Sequence, residues 1–173
     1  MLMTHSHSIK HCFSCGHPAF TRFVEGRDRR ICEVCSLVLY QNPSPAAAVL
    51  LVQENQVLLV KRAMAPQKGL WALPAGFQEL DETPESAARR EMYEETGLTA
   101  GKLQLLDLVY NDYYPHKPVN VAIFFAEHAQ GQLTPGDDVS EAGFFPLDQL
   151  PATLAFNYIH QCLKRLPNSP VKI

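Results

Sequence analysis

Long apolar runs are missing from this 173-residue chain; the longest, Ala46 to Val52, is far too short to cross a bilayer. No basic segment leads into an apolar core in Met1-Leu2-Met3-Thr4-His5-Ser6-His7, so a signal peptide is not expected. A cytoplasmic protein without membrane contact is the reading that follows. Internal repeats and low-complexity tracts are absent as well. A strong charge of either sign is also lacking: the formal net charge is −3, which indicates no polyanionic partner for the chain as a whole.

What is present suffices for a packed core, since 46% of the residues are apolar. The length suits one ordinary domain plus a small module. Charge is uneven along the chain. Residues 1–45 carry five Lys/Arg against three Asp/Glu, and residues 46–173 carry ten against fifteen. The acidic excess fits cation binding better than nucleic-acid binding.

Four of the five cysteines form two pairs, Cys12-x-x-Cys15 and Cys32-x-x-Cys35, with sixteen residues between them. A single pair could be a redox motif. Two pairs at this spacing can present four thiolates to one tetrahedral ion, and structural Zn²⁺ is expected. So short a segment buries too little to fold alone, so the metal would supply its folding free energy. His11 and His17 adjoin the first pair and are read as exposed loop residues rather than ligands. Arg22, Arg27, Arg29 and Arg30 lie between the pairs, either on a solvated hairpin or in reach of phosphates, which leaves nucleic acid open as a partner. The expected division is a disordered tail over 1–9, a zinc ribbon over 10–41, a linker over 42–45 and the main domain over 46–173.

In the main domain, Ala46 to Val52 and Val57 to Lys61 are apolar runs of strand length joined across Gln53-Glu54-Asn55-Gln56, which predicts a hairpin. Leu103 to Tyr110, Val119 to Ala126 and Glu141 to Phe145 also read as strands. A closing helix carries Ile159, Cys162, Leu163 and Leu166 on one face, with Cys162 as a core thiol. Irregular alternation of strands and helices indicates an α/β or α+β layered domain.

The most informative stretch runs from Gly76 to Leu98. Gly76 allows a turn that a Cβ would obstruct. Thr83 can cap a helix that opens with Pro84 and closes at Gly97 in the left-handed conformation. Ala87, Ala88 and Met92 give that helix a small apolar face. Glu91, Glu94 and Glu95 fall at i, i+3 and i+4, so three carboxylates crowd the other face and repel each other. Arg90 reaches Glu94 and offsets part of this. A hard divalent cation, Mg²⁺ or Mn²⁺, would convert the repulsion into ligation.

The fixed positions are Gly76, five residues, Glu82, seven residues, Arg90-Glu91, Met92, one residue, Glu94-Glu95, one residue, Gly97 and Leu98. This pattern resembles the signature box of the Nudix hydrolases at every fixed position. The resemblance covers residues 46–173 and implies an α/β/α sandwich around a mixed sheet, with the box as a loop–helix–loop. It implies hydrolysis of a nucleoside diphosphate linked to another group, and a homodimer. Glu91, Glu94 and Glu95 would be the metal ligands, with Glu82 an outer or second-metal ligand and Arg90 orienting the carboxylates. The general base would be a box glutamate or a later loop acid, for which Glu141 is the candidate.

Substrate class follows less directly. A four-cysteine ribbon before such a domain is similar to two groups. The NADH pyrophosphatases carry Ser-Gln-Pro-Trp-Pro-Phe after the box, whereas this chain has Gln104-Leu105-Leu106-Asp107-Leu108-Val109-Tyr110 there. The other group, related to ADP-ribose and FAD pyrophosphatases, is closer through Tyr40-Gln41-Asn42-Pro43 and Gly69-Leu70-Trp71-Ala72-Leu73-Pro74-Ala75-Gly76-Phe77. Tyr113-Tyr114-Pro115 fits family rules for both ADP-ribose and dinucleoside polyphosphates. Trp71, Tyr110, Tyr113 and Tyr114 could stack on a base or pack within the domain, and Arg62 could reach a phosphate or form a surface ion pair. Dinucleotide hydrolysis releasing AMP is the leading reading. Its alternatives are cleavage of NADH, a nucleotide cap on RNA or a mutagenic nucleotide, and a nucleotide sensor using the ribbon as partner module. The intact glutamates and the lack of a following helix-turn-helix disfavour the sensor.

Overall fold

Residues 9–112 and 118–166 are described by a computed structural model. Their contacts divide the chain into two units, Met1–Pro43 with Asp112–Pro118, and Ser44–Asn111 with Val119–Ile173. No helix among the described residues is long and apolar enough to cross a membrane.

The first unit is a three-stranded antiparallel sheet of β1 (Ala19–Val24), β2 (Arg27–Cys32) and β3 (Val38–Leu39), in that order. Glu25 and Gly26 join β1 to β2 with φ of 51° and 78°, the positive values that a tight two-residue hairpin requires. Its apolar centre is very small: Cys12, Ala19, Cys32 and Leu39, flanked by Ile9 and Leu37. Arg30 ties the chain start to the hairpin, donating from Nε to the Ile9 carbonyl at 2.8 Å and from its terminal nitrogens to Thr21 Oγ1 and the Ala19 carbonyl.

The second unit opens with β4 (Ser44–Gln53) and β5 (Gln56–Arg62). Ser44 and Pro45, read from sequence as linker, are the first residues of β4; a proline is tolerated at a strand's start. The hairpin turn is tighter than the four residues expected. Gln53 pairs Gln56, and Glu54 and Asn55 make the turn with φ of 51° and 61°. There follow β6 (Trp71–Ala72), β7 (Ala75–Phe77), α1 (Pro84–Thr96), β8 (Thr99–Ala100), β9 (Gln104–Asn111), β10 (Val119–Ala126), β11 (Ala129–Gln130), β12 (Val139–Pro146) and α2 (Asn157–Lys164).

The main sheet is mixed, in the order β12-β5-β4-β10-β9, with only β4 and β10 parallel. Both faces of β4 are buried. Ala47, Val49 and Leu51 join Ala87, Ala88 and Met92 of α1 in one apolar cluster with Ala122 and Phe124 of β10. Ala48 and Leu50 alternate to the other face and are fully buried there. Asp107 lies opposite Ile123, hence on that second face, and Arg165 after α2 binds its carboxylate at 2.6 Å. The two helices therefore cover opposite faces, the three-layer arrangement expected. Ile159, Cys162 and Leu163 of α2 are fully buried, and burial pushes the Cys162 thiol up to about 11, as suits a core residue.

One departure from a regular sheet positions the site. β4 and β5 pair only beside their turn, at Val52–Val57 and Gln53–Gln56. Beyond it they part; β7 takes the free edge of β4 at Ala46, Ala47 and Ala48, and β6 takes that of β5 at Val60 and Lys61. The split carries the Ala75–Phe77 backbone to the carboxylate face of α1.

Candidate active site

Helix α1 is set by its caps. Thr83 Oγ1 accepts from the Ser86 N–H at 3.1 Å, and Ser86 Oγ accepts from the Thr83 N–H at 2.8 Å, a reciprocal box ahead of Pro84. At the other end Gly97 adopts φ 70° and donates to the Tyr93 carbonyl at 2.7 Å. The orphan carbonyls of the last turn are met by a later loop: the Thr134 N–H donates to Thr96 O at 2.9 Å and the Gly136 N–H to Glu95 O at 3.1 Å. That loop leads through Asp138, whose carbonyl accepts from the Ala63 N–H at 2.8 Å, directly into β12.

Arg90 is the hub of the carboxylates. Its Nε and one terminal nitrogen grip both oxygens of Glu82 at 2.6 and 2.8 Å. The other terminal nitrogen reaches Glu91 Oε1 at 2.6 Å and Glu94 Oε2 at 2.9 Å. Glu82 also accepts from the Glu79 N–H at 3.0 Å. Arg90 first, then that N–H, hold its carboxyl down at about 2. Both Glu82 oxygens are thus engaged by Arg90, and one also by the Glu79 N–H.

Glu95 stands apart from this network. It is only 5% exposed, and Oε2 accepts from the Ala75 N–H at 3.0 Å. Burial pushes its carboxyl up to about 8 against the pull of that N–H, and the charges of Asp138 and Glu91 push the same way. Burial likewise raises Glu91, with Arg90 opposing and Glu94 and Asp138 reinforcing. The box glycine has a direct reason in this geometry. A Cβ on Gly76 would sit 2.1 Å from the Glu91 carboxyl carbon, so the Glu91 side chain keeps this position only beside a glycine. Gly76 is not among the positive-φ residues; the obstruction that a Cβ would meet here, expected from sequence, comes from the Glu91 carboxyl.

Glu91, Glu94 and Glu95 each spend one oxygen on the protein, and the other makes no hydrogen bond among the described residues. That donor set, hard oxygens on one helix turn with excess negative charge, fits a divalent cation such as Mg²⁺ or Mn²⁺. The carboxylates are nonetheless less convergent than the cysteines. Among the described residues, the cysteine quartet is the only group of three or more ligand-type side chains whose donor atoms all lie within 4.8 Å of one another. Cys12–Cys35, Cys15–Cys32 and Cys15–Cys35 sulfur separations are 3.6, 3.4 and 3.6 Å. A tetrahedron with Zn–S bonds of about 2.3 Å has edges of about 3.8 Å, and these three separations are close to that length. Both pairs share one loop form, in which the Gly16 and Ser36 N–H groups return to the Cys12 and Cys32 carbonyls at 2.9 Å. His11 and His17 are exposed and outside the quartet.

The remaining expected residues are dispersed. Glu141 is bound to Lys61 Nζ at 2.8 Å on the exposed side of β12. The acid from that loop whose charge bears on Glu91 and Glu95 is Asp138, which sequence reading passed over. Arg62 lies near enough to favour ionised Glu95; its Nε donates to the Pro66 carbonyl at 2.9 Å and its guanidinium lies over the Phe156 ring at 5.6 Å. Trp71 packs edge-on against Phe145 at 4.7 Å, with Lys61 Nζ over its ring at 5.7 Å. Tyr113 and Tyr114 lie outside the described residues.

Comparison with known proteins agrees with this geometry. The NUDIX domain family profile matches residues 42–165. An ADP-ribose pyrophosphatase of Methanocaldococcus jannaschii is 41% identical over 121 residues, 69% of this chain and 71% of that protein. A NAD-capped RNA hydrolase, NudC of Chromobacterium violaceum, is 33% identical over 150 residues, 85% of this chain and 53% of that protein, so the chain spans about half that relative's length. Among solved structures, a NUDIX hydrolase from Nitrosomonas europaea superposes with a TM-score of 0.73 at 32% identity, over 90% of this chain and 89% of that one. The chain belongs to the Nudix hydrolase family.

Proposed function

We propose that this Nudix hydrolase cleaves the diphosphate of a dinucleotide-like substrate, ADP-ribose or FAD, to release AMP. The observation that carries the reading is the trio Glu91, Glu94 and Glu95, each with one oxygen uncommitted among the described residues, on one turn of α1 beside a backbone held open by Gly76. A Mg²⁺ or Mn²⁺ ion held there would neutralise diphosphate charge and lower the pKa of a bound water. Glu82 and Arg90 keep the carboxylates from splaying. Asp138, whose charge bears on Glu91 and Glu95, takes in this reading the general-base role assigned from sequence to Glu141, and Arg62 supplies positive charge on the β5 side. ADP-ribose is preferred on the resemblance to the archaeal pyrophosphatase. FAD rests on the ribbon-bearing arrangement alone.

The same reading includes Zn²⁺ in the cysteine quartet, a cytoplasmic setting and a homodimer. In support of the last, β9 is a sheet edge on which the bulge opposite Ile123 and Phe124 brings Leu105, Leu108 and Tyr110 to one face, each more than half exposed. A second reading, cleavage of an NAD-type cap or NADH, is favoured by the similarity to the NudC relative.

Product analysis decides between them. The protein would be incubated with Mg²⁺ and ADP-ribose, FAD, NADH, a dinucleoside polyphosphate or an oxidised dGTP. AMP from ADP-ribose or FAD ahead of the others is the expected result. Preference for NADH would move the assignment to the second reading, and tight binding of ADP-ribose without turnover would move it to a sensor.

A further inference from the structure

The arginines of the first unit fall into two sets that the sequence does not separate. The register of β1 against β2 pairs Thr21 with Arg30 on one face, and Phe20 with Ile31, Arg22 with Arg29, and Val24 with Arg27 on the other. Arg30 is consumed by structure, holding Ile9, Ala19 and Thr21. The other face gathers three arginines. Arg22 and Arg27 are exposed and make no side-chain hydrogen bond or ion pair among the described residues. Arg29 lies over the Tyr40 ring at 4.7 Å and 3.4 Å from Glu25, and its Nε is buried with no hydrogen-bond partner.

A groove of about 430 Å³ runs along the same face, lined by Phe20, Arg22, Val24, Ile31, Cys32, Glu33 and Ser36. It is of a size to take one small planar ligand. Phe20 and Tyr40, 45% and 50% exposed, offer rings beside the free guanidinium groups. The acids on this side are few. Glu25 is engaged by Arg29 and the Tyr40 hydroxyl, which leaves Glu33 at the groove's rim. Cations on a strand face, flanked by aromatic rings and with no rigid wall, match the phosphates and unstacked bases of a single strand. A duplex would hide those bases, and an acidic peptide would leave the rings without a partner.

We infer that the Phe20–Arg22–Arg27–Arg29 face of the first unit binds single-stranded RNA, with Arg22 and Arg27 on phosphates and Phe20 and Tyr40 stacking bases. The inference stands apart from the diphosphate hydrolysis proposed above, since none of these residues belongs to that site. It would let the protein hold the body of an RNA strand whatever small substrate the second unit cleaves.

The test is fluorescence anisotropy of the zinc-loaded full chain with a labelled twelve-nucleotide oligouridine across a salt series. Binding should weaken with salt at a log–log slope of about −0.7 for each phosphate contacted. Arg22→Gln with Arg27→Gln should lower affinity tenfold or more and flatten the slope by about 1.4. Phe20→Leu, which keeps the groove apolar, should lower affinity severalfold without changing the slope. Both variants should retain full zinc content and wild-type ADP-ribose turnover, because none of these residues is among those of the proposed hydrolytic site. Unchanged affinity in the double variant, equal binding of duplex RNA or inorganic polyphosphate, or no binding at low salt would each overturn the proposal. Loss of ADP-ribose turnover in wild type with RNA binding intact would defeat only the hydrolytic reading.

Discussion

Two residues carry most of the chemistry that can be tested at the level of single atoms. Gly76 leaves room for Glu91, and a methyl group there would lie 2.1 Å from its carboxyl carbon. Gly76→Ala should therefore fold, because the position is on the partly exposed β7, but displace Glu91 and lower kcat about 100-fold or more. A variant with normal turnover would show that Glu91 need not approach β7. Glu95 gives a pH signature in metal-free protein. Its folded pKa, about 8, lies above the ordinary 4.5, so between those values the folded chain keeps a proton that the unfolded chain has lost. Stability should fall as pH rises from 4.5 to 8 and level off above. Mg²⁺ must displace that proton, so its stabilisation should grow over the same window. Glu95→Gln should flatten both trends in thermal melts; identical profiles for variant and wild type would contradict the assignment. Glu82 acts oppositely. Held at about 2, it contributes stability that is present above 4.5 and lost as pH falls toward 2.

At the scale of elements, helix α1 was readable from sequence because its determinants are local. Thr83, Pro84 and Gly97 mark its ends, and Ala87, Ala88 and Met92 mark the buried face. The same holds for β4, β5 and β10, whose apolar runs need no partner to be seen. What escaped sequence reading depends on register and on distant chain. The irregularity between Val139 and Glu141 places Val139 opposite Arg62 and Glu141 opposite Lys61. One residue of slip thus sends Glu141 to Lys61 on the exposed side, while Asp138, just before β12, acts on the box glutamates. No local pattern in Asp137-Asp138-Val139-Ser140-Glu141 reveals that choice. The pairing of β8 with β11, and the loop that caps α1 from Thr134 and Gly136, were hidden for the same reason. That loop is open to test. A Cβ on Gly136 would meet the Glu94 carbonyl at 2.4 Å. Gly136→Ala should destabilise the protein by about 1–3 kcal/mol and lower kcat by shifting Asp138. A stable, fully active variant would show that the loop is not a support for the site.

Across the whole molecule, the two units solve the folding problem differently. The second buries both faces of a mixed sheet and is held by packing. The first gathers four cysteines around a core of a few side chains, and this meeting of the two Cys-x-x-Cys pairs was readable from their spacing. The relation of arginines to faces was not readable, because it needs the hairpin register. Cys32→Ser should release zinc and unfold the first unit while the second keeps its cooperative melt. Zinc content equal to wild type in that variant, or none in wild type as isolated, would refute the metal's role.

The hydrolytic site proposed on α1 depends on a divalent cation and acts on a dinucleotide diphosphate. Its most direct measurement is AMP release from ADP-ribose as Mg²⁺ is titrated, with Glu95→Gln beside wild type. Wild type should show saturable Mg²⁺-dependent turnover, and the variant should lose more than about 100-fold of it, since even residues that merely support metal ligands cost about 10–100-fold. Turnover that is independent of Mg²⁺, or a variant within a few fold of wild type, would contradict the account.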